Sequence, residues 1–442
     1  MSQWNEYWDK HKDAILEDYF TYLRFPSVST DPKNAKDVRN CAFWLKGYLE
    51  DIGLNVEVWE TDHHPALFAT DLSAGNDRPT LLIYHHYDVQ PVDPIELWQT
   101  PPFEPQIRNG SVYARGASDN KGQSFLTISA IKAVKNLGFN LKLIIEGEEE
   151  IGSSGLAKLC KEKSDQLKAD HLLVVDVDML AIDKPALTLG VRGITTLNVE
   201  VRGSNVDLHS GNHGGIVYNP ARALAEALSK IWQDGKVAIE GFYDGIENKS
   251  ADVLDLDFDQ DEYKRFFGVR KFAMPKGVTP LAANWLEPVI EINGMSSGYT
   301  GEGFKTIIPA IAKAKISARL VPGQDPKQIS DLIASFLKKE LDGMDVKIEF
   351  HHGGLAVQTL ANTPFVKLAA QALKNVFKKE CKFIMTGGSI PISAALKAAS
   401  GADVLFMGFA LPEDAIHSPN EHFDIERFRL GFLSMAELME LL

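Results

Sequence analysis

Apolar residues recur at helical spacing through the N-terminal part of the chain. Ile15, Leu16, Tyr19, Phe20 and Leu23 predict a helix over 12–24. Val38, Cys41, Ala42, Leu45, Leu49 and Ile52 predict a second over 36–52, with Gly53 as its stop. Short apolar runs follow. LNVEVW, TLLIY, LKLIIE and LLVVD read as strands, with helices over 123–137, closed by Gly138, and near 154–161. Runs apolar throughout are buried on both faces, so they predict a mostly parallel sheet in a three-layer α/β fold.

Past about residue 188 the pattern alternates. Thr195 to Val201 and Ile311 to Leu320 alternate apolar and polar residues, as strands with one wet face do. With helices at 220–233 and 326–341, a strand near 288–292 and the final strand DVKIEF, the order is β-α-β-β-α-β, a ferredoxin-like module. The acidic stretch Ser250 to Glu262 reads as a helix-poor insertion in it. From Asn362 the first texture returns, with a helix at 364–379, the strand VLFMGF and an amphipathic helix to Leu442. The expected organisation is a discontinuous domain, 1–188 and 358–442, interrupted by a module over 189–357.

Polar residues gather where the buried runs end, which is where an open α/β sheet places ligands. TLLIY leads into His85-His86-Tyr87-Asp88, LKLIIE into Glu148-Glu149-Glu150, and LLVVD ends at Asp176, with Asp178 two residues on. Asp119 precedes a helix, and His417 lies past VLFMGF. Three adjacent glutamates at a buried strand end need cations or protons nearby. Adjacent side chains point in different directions, so one glutamate can bind metal while its neighbour acts as a base. Asp88 is placed to orient His86 through its second ring nitrogen. Three carboxylates, Asp119, Glu150 and Asp176, set against two divalent ions leave one positive charge to hold a hydroxide.

Composition narrows the partners. The formal net charge is −14, which disfavours nucleic acid and anionic membranes. The N-terminus has no charged segment followed by an apolar one, so neither a signal peptide nor a membrane span is expected. Cys41, Cys160 and Cys381 form no CxxC pair and are expected to be reduced thiols in a cytoplasmic protein. No GxxxxGK[ST] motif supports nucleotide binding.

HYDVQP, ARGASDNKG, EGEEEIGSSG, VVD, LGVRG, DLHSG, TIIP, ARLVPG, HHGG, GGSIP and IHSPNEH occur in this order between residues 86 and 422. In these segments the chain resembles the co-catalytic di-zinc exopeptidases of the aminoacylase/carboxypeptidase type, and within them the carnosinase-like cytosolic dipeptidases. The resemblance implies a catalytic domain of three layers with an inserted lid, and a homodimer built through that lid. It implies two divalent ions, zinc or manganese: one held by His86 and Asp176, the other by Glu150 and His417, with Asp119 between them. It makes Glu149 the general base and Asp88 the partner of His86, and it implies a cis peptide bond at Asp119–Asn120. His209 would reach the partner subunit's site, and Arg319 would bind the substrate carboxylate, with Thr306, His352, Gly388 and Ser389 as further contacts. Asn120 departs from the second aspartate of many relatives, with little effect expected. The implied activity is hydrolysis of dipeptides or short peptides bearing a free C-terminal carboxylate. Hydrolysis of N-acyl or N-carbamoyl amino acids is the alternative, and intact ligands and base disfavour a non-catalytic scaffold.

Overall fold

The computed structural model describes residues 2–247 and 256–442, with the side chain of His352 outside the description. Backbone packing divides the chain into two units. One comprises Met1–Gly190, Gln358–Ile384 and Ile392–Leu442, the other Val191–Val357 and Met385–Pro391.

The first unit is built on a sheet ordered Asn55–Trp59, Ala66–Asp71, Asn140–Glu146, Thr80–His86, His171–Val174, Val404–Met407, Ala186–Val191. The four strands from Asn140–Glu146 to Val404–Met407 are mutually parallel, and the flanking pairs are antiparallel. Residues 81–86 are all buried, as a central strand covered on both faces requires. The helix Lys121–Ala133 packs so deeply that only Lys132 escapes burial. It ends short of the 137 that its periodicity predicts, because Val134 turns out of helical geometry at ψ 79° and residues 134–139 lead into the next strand. The first helix begins at Gln3 rather than 12. Trp4 and Trp8 extend its buried face, and Trp8 packs on Phe428 and Phe432 of the last helix, Ile425–Leu441. Among the described residues no helix is long and apolar enough to cross a membrane.

The second unit holds an antiparallel sheet ordered Val289–Ser297, Ile311–Leu320, Gly193–Arg202, Asp345–Gly354. One face, with Leu197, Val199, Val201, Ala314 and Ile316, packs against the helices Pro220–Ser229 and Pro326–Glu340. The other is polar, and Lys313 pairs with Glu200 across it at 2.9 Å. The stretch Ser250 to Glu262 lies partly outside the described residues. In its described part Leu256 to Asp259 are not helical, and a helix over Gln260–Phe267, capped by Asp259, begins near its end.

Candidate metal centre

His86 sits at the C-terminal end of the strand Thr80–His86, fully buried. Its Nδ1 lies 3.0 Å from the Asp88 carbonyl oxygen and 3.4 Å from the Asp88 carboxylate. The proton therefore belongs on Nδ1, which leaves the Nε2 lone pair for a ligand. The Asp88 carboxylate has further partners. It accepts the Ser29 hydroxyl at 2.7 Å and the amides of Glu149 and Glu150 at 3.2 and 3.1 Å. Asp88 thus fixes the histidine chiefly through its backbone, and the glutamate turn through its side chain.

The glutamate that ends the strand Asn140–Glu146 and the three that follow it divide their work. Glu146 accepts from Tyr84 and Ser153. Glu148 is buried and accepts from Thr61, the His64 amide and the Gly155 amide. Both hold the local chain. Glu150 lies 3.4 Å from His417 Nε2, and its second oxygen accepts from Gln90 at 2.6 Å.

Asp119 precedes the buried helix, and the Asp119–Asn120 peptide bond is cis. Gly122 in the first helical turn leaves no room for a side chain: a Cβ would stand 2.0 Å from the Ala117 carbonyl oxygen. Buried Glu421 shapes the preceding loop, accepting the amides of Gly116, Ser118 and Asp119 at 2.9–3.0 Å and the Arg115 guanidinium at 2.6 Å. The sequence gives no separate signal for this role. Asp119 turns one oxygen to His86 Nε2 at 3.0 Å and the other to His417 Nε2 at 2.9 Å. Asp176 Oδ1 lies 3.7 Å from His86 Nε2. His417 itself stands in the left-handed region, at φ 60°.

Two triads result: His86, Asp119 and Asp176; and Asp119, Glu150 and His417, the ligand atoms of each within 4.8 Å of one another. Asp178 joins neither. Its backbone bridges to Ala410, and burial with nearby carboxylates lifts its pKa to about 6. The titration of the set fits two cations. Burial opposes charge on His86, yet Asp176, Asp119 and Asp88 raise its pKa well above the ordinary value. Hydrogen bonds that His417 donates to Asp119 and Glu150 lift its pKa to about 10. Burial and the Asp119 charge raise Glu150 to about 7. Burial, opposed by His86, and the charges of Asp176, Glu150 and Asp119 push Glu149 well above the carboxylate range. In the metal-free protein, protons on the histidines balance the carboxylates, and divalent ions displace those protons on binding. The donors are nitrogen and oxygen only, which suits zinc and manganese alike.

The other residues singled out in the sequence lie in the second unit. Arg319 Nη1 donates to Ser389 Oγ at 2.8 Å, and the Gly388 carbonyl oxygen accepts the Arg192 amide at 3.0 Å. His209 is exposed, and its Nδ1 accepts the Gly211 amide at 3.0 Å. The Thr306 carbonyl oxygen accepts the Ser210 amide beside it. His352 falls on the strand Asp345–Gly354, its side chain outside the description.

The model of the peptidase family M20/M25/M40 matches residues 82–441. The chain belongs to that family. As an M20 peptidase it is a metal-dependent hydrolase, and its paired triads suit a centre of two ions. This M20 chain is 29% identical to a Cys-Gly metallodipeptidase of Schizosaccharomyces pombe, over 96% of its own length and 94% of the relative's. It is 30% identical to the Beta-Ala-His dipeptidase of Rattus norvegicus, over 94% and 90%. Among solved structures, an M20 family metallo-carboxypeptidase from Sulfolobus solfataricus superposes with a TM-score of 0.87 at 32% identity, covering 97% of this chain and 98% of that one.

Proposed function

We propose that this M20 enzyme hydrolyses dipeptides, or short peptides with a free C-terminal carboxylate, at a centre held by His86, Asp119, Glu150, Asp176 and His417. The observation that carries the reading is Asp119, one oxygen on each histidine, joining two triads into a single site. Bound zinc or manganese ions would polarise the scissile carbonyl and lower the pKa of water. Glu149 is outside both triads, and the Asp88 carboxylate anchors its amide. Its raised pKa suits a base that takes the proton of the attacking water and delivers it to the leaving amine. Arg319, steadied by Ser389, offers a guanidinium fork to the substrate carboxylate.

The enzyme is a cytoplasmic homodimer joined through the second unit, and His209 acts in the partner's site. Because His209 Nδ1 accepts a backbone amide, the neutral ring carries its proton on Nε2, ready to donate to a developing oxyanion. Chelation should abolish hydrolysis of a dipeptide panel, and Zn²⁺ or Mn²⁺ should restore it. C-terminally amidated dipeptides should be poor substrates. Full activity in protein shown by elemental analysis to be metal-free would overturn the mechanism, and preference for acyl-amino acids would overturn the substrate class.

A further inference from the structure

Asn120 and His85 lie on neither triad, and both are fully buried beside one of them. The Asn120 amide nitrogen donates to the Val175 carbonyl oxygen at 2.8 Å and to Asp176 Oδ1 at 2.7 Å. Both acceptors lie past the end of the strand His171–Val174, so one amide group grips the segment that presents Asp176. These contacts fix the orientation of the amide, since a flipped group would set its oxygen against two acceptors. The Asn120 oxygen therefore faces His85, whose Nδ1 lies 2.9 Å away and must be the donor. The oxygen that Asn120 holds is the same Asp176 Oδ1 that lies 3.7 Å from His86 Nε2.

We infer that His85 and Asn120 are positioning residues for one metal site only, the one that His86 and Asp176 complete with Asp119. This rests on the ligand assignment proposed above. The line runs His85 Nδ1–H to Asn120 Oδ1, then Asn120 Nδ2–H to Asp176 Oδ1. It adds no charge to the site. It holds the Asp176 carboxylate at the angle its triad requires, and leaves that oxygen a second lone pair. An aspartate at 120 is acceptor-only when ionised and could not make the second link. What asparagine supplies here is both ends of the line, an acceptor for His85 and a donor for Asp176. Glu150 and His417, the two ligands that belong to the other triad alone, receive no hydrogen bond from either residue.

The test is metal affinity, read in two steps by titrating the chelated, refilled protein with Zn²⁺ against a competing chromophoric chelator. Partners that orient a ligand typically carry about 10–100-fold in affinity. Asn120→Ala should weaken one of the two binding steps by about that factor and leave the other unchanged. His85→Leu should weaken the same step. His85→Gln, which keeps a donor, should retain more of the affinity than His85→Leu. Circular dichroism and melting of each chelated variant identify misfolding, and His85→Leu carries the test if Asn120→Ala does not fold. Equal weakening of both steps, or wild-type affinity in the folded variants, overturns the inference. Asp176→Asn serves as the control for the ligand assignment. If it binds two ions at wild-type affinity, the assignment itself is wrong. If it loses one step while Asn120→Ala and His85→Leu do not, only the positioning role falls.

Discussion

Glu149 and Glu150 are neighbours in sequence with opposite assignments. Glu150 faces His417 at 3.4 Å within a triad, whereas Glu149 belongs to none. Glu149→Gln should therefore keep both metals and lose about 10²–10⁴-fold in turnover, the usual worth of a positioned base. Glu150→Gln should lose metal instead. Metal content and turnover measured on both variants check this, and the reverse pattern would exchange their roles. The residues alone show three adjacent acids after a strand, in which Glu148 looks as eligible as the other two, with Glu146 ending the strand just before them. What separates them is three-dimensional: Tyr84, Ser153, Thr61 and two backbone amides claim Glu146 and Glu148. Asp176 and Asp178 are told apart in the structure by His86 and Asn120, which face Asp176 alone.

At the scale of elements, each side chain of the centre hangs on the end of a buried strand or on a loop tied to one. That much is legible in the sequence, because a strand apolar throughout announces both its burial and the place where it stops. Helix ends are less legible, because Trp4 and Val134 act through tertiary packing and chain reversal rather than through local pattern. Glu421 shows how a loop becomes rigid enough to hold a ligand. Its carboxylate joins three backbone amides to the Arg115 guanidinium, both side chains about 1% exposed. Glu421→Ala strands a buried cation and should cost about 3–5 kcal/mol. Glu421→Gln keeps an acceptor and should cost less. Urea melts of the two variants measure the difference, and Zn²⁺ affinity should fall in the same order.

At the scale of the whole molecule, the centre links stability to pH. In the metal-free protein Glu150 is raised from 4.5 to about 7 and His417 from 6.5 to about 10. Both shifts mean that the folded chain binds protons more tightly than the unfolded one, so stability falls as pH rises. The Glu150 part is lost between about 4.5 and 7. The His417 part is complete below about 6.5 and is lost as pH rises through about 10. Chelated protein should melt at progressively lower temperature from about pH 5 to 9, and the gap to metal-loaded protein should widen, as differential scanning calorimetry would show. The proposed dimer has its own test. Mixing His209→Ala with Glu149→Gln, each inactive alone, should restore activity on subunit exchange, because one site in each mixed dimer has both groups. Verified mixed dimers without activity would place His209 in its own chain's site or in none.

The strand Val404–Met407 lies between His171–Val174 and Ala186–Val191 in the finished sheet. During translation those two neighbours leave the ribosome more than two hundred residues before the strand that separates them. Until it arrives the sheet has a vacant slot with open edges on both sides, a standing invitation to pair with another nascent chain. His417 emerges later still. A ribosome stalled just before Val404 therefore holds a chain whose second unit is wholly synthesised but whose catalytic sheet is not closed, and truncated products of this gene should be substrates for chaperones and proteases rather than partial enzymes.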